Sequence, residues 1–131
     1  MRLGLHVTAD RPVAEQALAA ERHGFHLLWL DEDRPDAAPL LEASFVAAVA
    51  PSIRVVAALT VGPHPVTLAE EAAVADLALR GRLTVALRPG EHRASELDET
   101  VTVLRAAWTA RPFRHEGRHW RVPANLPGNT G

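Results

Sequence analysis

Four short apolar runs begin near residues 2, 25, 53 and 83, and each leads into a stretch with helical spacing. This regular alternation constrains the chain more than any other feature, because it implies a parallel sheet built from right-handed strand–helix–strand crossovers. Arg2–Val7 reads as the first strand. Asp10 offers a helix N-cap, with Pro12 in the first turn, where a missing N–H costs nothing. Val13, Ala17 and Ala20 then recur at helical spacing as far as Gly24, a suitable residue for a left-handed C-terminal cap. Phe25–Leu30 is nearly all apolar, as expected of a strand covered on both faces. Ala38–Val49 reads as a second helix with Leu41, Phe45 and Ala48 or Val49 inward, stopped by Pro51. Ile53–Val61 is the third strand. Pro65 opens a third helix with the stripe Leu68, Ala72, Ala75, Leu79, and Gly81 closes it. Leu83–Leu87 is the fourth strand. Ser95 is placed to cap a fourth helix with Leu97, Val101, Leu104 and Trp108 on one face. From Pro112 onward the pattern predicts a short hairpin and a loose end.

Two architectures accommodate four such units: an open doubly wound sheet, or half of an eight-fold barrel. Periodicity does not separate them. At 131 residues the chain has the size of one ordinary domain, read as a β/α region over 1–112 followed by a hairpin and tail over 113–131. Apolar residues make up 47% and charged residues 23%, enough for a packed core and against intrinsic disorder. The net charge of −2 carries no electrostatic footprint for nucleic acid or an anionic membrane. No apolar run approaches the roughly 20 residues of a bilayer span, and no signal peptide is visible, so the expected location is cytoplasmic. Cysteine is absent, which excludes disulfides, thiolate catalysis and cysteine-held metals. All 14 basic residues are arginine, so lysine Schiff-base chemistry is excluded as well.

Several motifs carry chemistry on paper. His115-Glu116-Gly117-Arg118-His119 fits HExxH, the zinc metalloprotease pattern. That chemistry requires a helix, and Gly117, with Pro112 before it and Pro123 after it, favours a hairpin. Beyond His119 there is no third His, Asp or Glu to complete a site, so no metal ligands are assigned. Neither Gly-x-Gly-x-x-Gly nor Gly-x-Ser-x-Gly occurs. A receiver-type open sheet would need a phosphorylatable aspartate where this chain has Leu59-Thr60.

Three stretches resemble the bacterial-luciferase-like family of flavin- or deazaflavin (F420)-dependent oxidoreductases. Ala20–Leu30 (AERHGFHLLWL) is similar to that family's passage from helix 1 to strand 2. His64–Arg82 (HPVTLAEEAAVADLALRGR) resembles its helix 3, with the His-Pro start and the closing Gly-Arg. Phe113–Val122 (FRHEGRHWRV) resembles the hairpin after helix 4. The family fold is a TIM-type (β/α)8 barrel of about twice this length, so the resemblance implies an α/β half barrel of four β/α units with a short C-terminal hairpin. Such a half would present two open sheet edges and an apolar inner face.

The resemblance further implies that cofactor and substrate meet at the carboxyl ends of the strands. Thr60, Val61 and Gly62 at the end of strand 3 are then the candidates for contact with an FMN or F420 ring, joined by Arg88 and Gly90 after strand 4. Substrate-side candidates are His6, Asp31, Glu32 and His64. Asp31, Glu32 and Asp33 stand where the family often carries Asp-His. A run of three carboxylates is more often a solvated loop than a cation site or, with one of them desolvated, a base. His64 has two readings too, facing the site or opening helix 3. Arg88 occupies a strand end that the family keeps glycine-rich. The activity implied is a flavin- or deazaflavin-dependent oxidoreductase or monooxygenase acting on a small-molecule substrate and completed by a second chain. The alternative is a non-catalytic half barrel that dimerises or binds a partner subunit through helices 2 and 3, where Ala47, Ala48, Ala72, Ala73 and Ala75 permit close approach.

Overall fold

The computed structural model describes residues 1–90 and 94–123. Its elements follow in the order β1 (Gly4–His6), α1 (Val13–Arg22), β2 (Leu27–Asp31), α2 (Pro39–Val49), β3 (Arg54–Thr60), α3 (Pro65–Ala78), β4 (Leu83–Arg88), α4 (Ala94–Ala107), β5 (His115–Glu116) and β6 (Arg121–Val122). Two compact units arise: residues 1–60 with 71–88, and residues 61–70 with the described residues from 89 onward.

In the first unit β1 to β4 form one sheet in sequential order, and all three pairings are parallel. Sequential order decides between the two architectures left open by periodicity. A doubly wound sheet reverses its strand order and carries helices on both faces. An unreversed run with crossovers of one hand keeps its helices on one side, which is the wall of half a barrel.

The register shows how that wall is layered. Leu5, Leu28, Val55 and Leu83 lie in one row across the four strands. Leu28, Leu30, Val55 and Ala57 are fully buried, as are Ala17 and Ala20 of α1 and Ala43 and Val46 of α2. Small alanines on the helices let them approach the branched residues of the strands closely. The opposite face alternates with this one and carries His6, Trp29, Asp31, Val56, Ala58, Thr60, Thr84, Ala86 and Arg88. It is not the bare apolar surface expected from sequence: Val56 and Ala58 are buried, and the end of this face toward the strand carboxyl termini is polar.

Polar side chains pin the connections. Gln16 is buried, accepts from Thr8 N (3.0 Å) and donates to the carbonyls of Thr8 (2.8 Å) and Arg11 (2.9 Å). That bracket replaces the expected Asp10 cap: α1 starts after Pro12 with no side-chain cap, and Asp10 accepts from the Thr8 hydroxyl instead. Gly24 adopts φ 73° after α1, as its sequence position predicts. Arg34 and Glu42 form a bidentate pair (3.0 and 2.5 Å), and Glu42 also accepts from Ala38 N at the start of α2 (3.2 Å). Arg82 donates to the carbonyls of Leu79, Ala50 and Ile53 at 2.8–2.9 Å, tying the end of α3 to the entry of β3.

The α2 stripe is corrected. Leu41 and Phe45 are each 58% exposed, and the buried positions are Leu40, Ala43 and Val46. Because α2 is apolar nearly all round, its sequence holds two competing stripes, and the path of the chain out of β2 selects one of them. Leu30→Ala, which deletes a fully buried side chain from the centre of the wall, is expected to destabilise the protein by about 2–5 kcal/mol. Phe45→Ser is expected to change stability by under about 1 kcal/mol. Urea unfolding of the two variants checks both, and the reverse ranking would restore the sequence-based stripe.

Candidate functional site

Strand pleating places the last inward residues of all four strands on one face, and in the first unit they make a connected polar line. Arg88, at the end of β4, reaches across β3 and donates from Nη2 to Asp31 Oδ1 at the end of β2 (2.7 Å). On the way its Nε donates to Thr60 Oγ1 at the end of β3 (3.0 Å). The same Nη2 lies 3.2 Å from Asp33 Oδ1. His6, at the end of β1, brings Nε2 to 4.0 Å from Asp31 Oδ2. Glu32 points its carboxylate at the Thr60 backbone N–H, which donates to it, while the Glu32 N–H continues the ladder to Ala58 O (3.2 Å).

Asp31 is the hub. Its side chain is 16% exposed, against 65% for His6 and 73% for Asp33. The Asp33 N–H, followed by the Arg88 guanidinium, holds its carboxyl below the usual aspartate range, although burial pulls the other way. Arg88 is raised in turn, chiefly by its bond to Asp31. At neutral pH Asp31 is an anion and Arg88 a cation, paired at the rim of the wall.

The sequence-based candidates divide between the units. His6, Asp31, Glu32, Thr60 and Arg88 converge in the first. Val61, Gly62, His64 and Gly90 belong to the second. A Cβ on Gly62 would meet nothing within 4 Å, and one on Gly90 would lie 3.7 Å from the Val61 carbonyl oxygen. His64 stands at the entry of α3: its Nδ1 accepts from Val66 N (3.2 Å), and its ring stands edge-on to Trp120 with centroids 5.0 Å apart.

A second cluster, which sequence reading missed, is built around Glu99 on α4. Its carboxylate accepts from His115 Nε2 (2.8 Å), His119 N (3.0 Å) and Trp120 N (2.7 Å), so one side chain gathers the whole β5–β6 turn. Gly117 is demanded here, because a Cβ would collide with that carboxylate. HExxH is thereby dismantled. His115 lies on β5 and binds Glu99, whereas His119 falls in the turn, outside the strands, with Nε2 3.0 Å from Ser95 Oγ. Ser95 lies inside α4 and serves this contact rather than capping the helix. Trp108, expected inward on α4, is 48% exposed and donates from its indole to Ala69 O (3.1 Å). Among the described residues no group of three or more His, Cys, Asp or Glu could hold a metal ion.

Burial opposes the Glu99 charge, but the three donors outweigh it and hold its carboxyl below the ordinary value of 4.5. A carboxylate lowered on folding stabilises the fold fully above its unfolded value, and the contribution disappears as pH falls through the folded one. Glu99→Gln is expected to cost about 1–3 kcal/mol at neutral pH and to flatten the loss of stability between about pH 5 and about pH 3. Thermal unfolding across that range checks it; equal acid sensitivity in the two proteins would discard this role for Glu99.

No curated protein sequence matches the chain. By structure the chain is similar to the coenzyme F420 dependent tetrahydromethanopterin reductase from Methanopyrus kandleri, with a TM-score of 0.80 at 18% identity, over 92% of this chain and 44% of that one. That likeness concerns the fold, and the chain spans less than half of that protein's length. The family described as luciferase-like monooxygenase matches residues 4–130, almost the whole of the sequence. The four-strand wall, its polar carboxyl rim and this match lead to one conclusion: the chain belongs to the luciferase-like monooxygenase family.

Proposed function

We propose that this chain supplies the first four β/α units of a flavin- or deazaflavin-dependent oxidoreductase or monooxygenase, with FMN or F420 as cofactor and a second chain completing the barrel. The observation that carries the reading is the convergence of His6, Asp31, Thr60 and Arg88 on one face at the carboxyl ends of the strands, the end at which barrels of this type do their chemistry. The small side chains of Ala58 and Ala86 are paired in register and keep the wall low beside this line. When bound, a flavin or deazaflavin ring supplies the redox step, and the protein contributes position and charge.

On this reading Thr60, Val61, Gly62, Arg88 and Gly90 are the cofactor-side residues. His6, Asp31, Glu32 and His64 are the substrate-side ones. Asp31 keeps a fixed negative charge on the wall, with the exposed imidazole of His6 beside it. The strand order leaves one edge of β1 and one of β4 unpaired among the described residues, and edges of this kind call for a neighbouring strand. Among the described residues no helix is long and apolar enough to cross a membrane.

A second reading, a half barrel that works by association, is favoured by exposed apolar side chains on α2 and α3: Leu41, Phe45, Val74 and Leu77 are 58–79% exposed. The occupant we assign to these helices is a second copy of the chain. One pair of measurements separates the readings. Titration with FMN and with F420, followed by fluorescence, is expected to show saturable binding. Sedimentation is expected to give a dimer that Phe45→Glu with Leu77→Glu converts to monomer. A dimer that ignores both cofactors would leave association as the function.

A further inference from the structure

The residue that interrupts the rim is Arg88. Its side chain leaves β4, passes Thr60 and ends on Asp31, so it spans β3 on the same face as Ala58 and Ala86. Neighbouring strands are about 4.8 Å apart, and the arginine from β4 and the aspartate from β2 together cross two such spacings. The low part of the wall is therefore bridged by a guanidinium held at three points: Thr60 Oγ1, Asp31 Oδ1 and, more weakly, Asp33 Oδ1. The bridge engages the Thr60 hydroxyl, a group that a bound ring would use. The Arg88 side chain is 41% exposed and Asp33 73% exposed, against 16% for Asp31, and a pair with one partner exposed opens at lower cost than a fully buried one.

We propose that Arg88 is a latch that sets the cofactor affinity of this wall: closed on Asp31 it denies a planar ring its seat over Ala58 and Ala86, and a ring binds only to molecules in which it has swung away. The proposal rests on the flavin or deazaflavin reading and assigns one residue control over it. A site that is open in about one molecule in ten binds its ligand about tenfold more weakly than the open form does. Asp31 is the strike plate. Removing its charge frees the arm without shortening it.

The test is binding of FMN and of F420, each used alone, to the full chain and to Arg88→Ala and Asp31→Asn, with circular dichroism confirming the fold of each. At least one of the two cofactors is expected to bind Arg88→Ala about tenfold more tightly than the parent protein, with Asp31→Asn between them. Alongside, the Arg88 Nε–H proton is expected to exchange with solvent several-fold faster in Asp31→Asn than in the parent, a readout independent of any ligand. Binding by the parent that Arg88→Ala leaves unchanged or weakens overturns the latch and spares the cofactor reading, with Arg88 then a direct contact. If neither cofactor binds any of the three proteins, latch and cofactor reading fall together. Should Arg88→Ala not fold, Asp31→Asn carries the same comparison, and unchanged affinity with unchanged exchange overturns the latch.

Discussion

The structure depends on one aliphatic layer. Leu28, Leu30, Val55 and Ala57 sit on one face of the two central strands, and Ala17, Ala20, Ala43 and Val46 are fully buried with them. Parallel pairing without reversal puts every crossover on that side, so burial of this layer fixes which residues point the other way. A slip of one residue in register would exchange the two sets. It would drive Asp31 and Arg88 into the layer where Leu30 and Leu87 now lie, at the cost of burying charges. The polar line at the rim is thus a consequence of apolar packing on the opposite face.

Charge in the first unit is managed in pairs. Arg88 neutralises Asp31, and Arg34 with Glu42 does the same at the start of α2. In the second unit Glu99 does with one carboxylate what a tight two-residue turn does elsewhere: it gathers backbone N–H groups that the β5–β6 turn leaves unsatisfied. The two clusters illustrate a common division. One holds its charge at a rim beside a half-exposed arginine; the other holds it inside a turn, where both carboxylate oxygens accept hydrogen bonds.

Much of the wall was legible because it rests on local pattern. The apolar runs at residues 27–30 and 54–60 carry the strands, Gly24 and Gly81 stop the helices at positive φ, and Pro65 opens α3. The carboxyl-end candidates His6, Asp31, Glu32, Thr60 and Arg88 were also legible, since strand ends follow from strand positions. What failed was rotational phase and partner choice. In α2 two apolar stripes compete, and Leu40, Ala43 and Val46 prevail over Leu41 and Phe45. Asp10 and Ser95 have the composition of caps, yet each is drawn into a different hydrogen bond. Gln16 and Glu99 gave no signal, because a lone polar residue within a helical stretch looks like solvated surface until its partners are known.

The sequence alone determined the alternation of strands and helices, the family resemblance, and the exclusion of cysteine and lysine chemistry; these are properties of composition and of spacing over a few residues. Tertiary structure decided that the strands run in unreversed order, that Arg88 crosses β3 to reach Asp31 57 residues away, and that both histidines of HExxH are bound elsewhere. The physical reason is the same in each case. Hydrophobic periodicity is a one-dimensional record of burial, whereas a hydrogen bond between distant residues depends on where packing brings their strands and turns together.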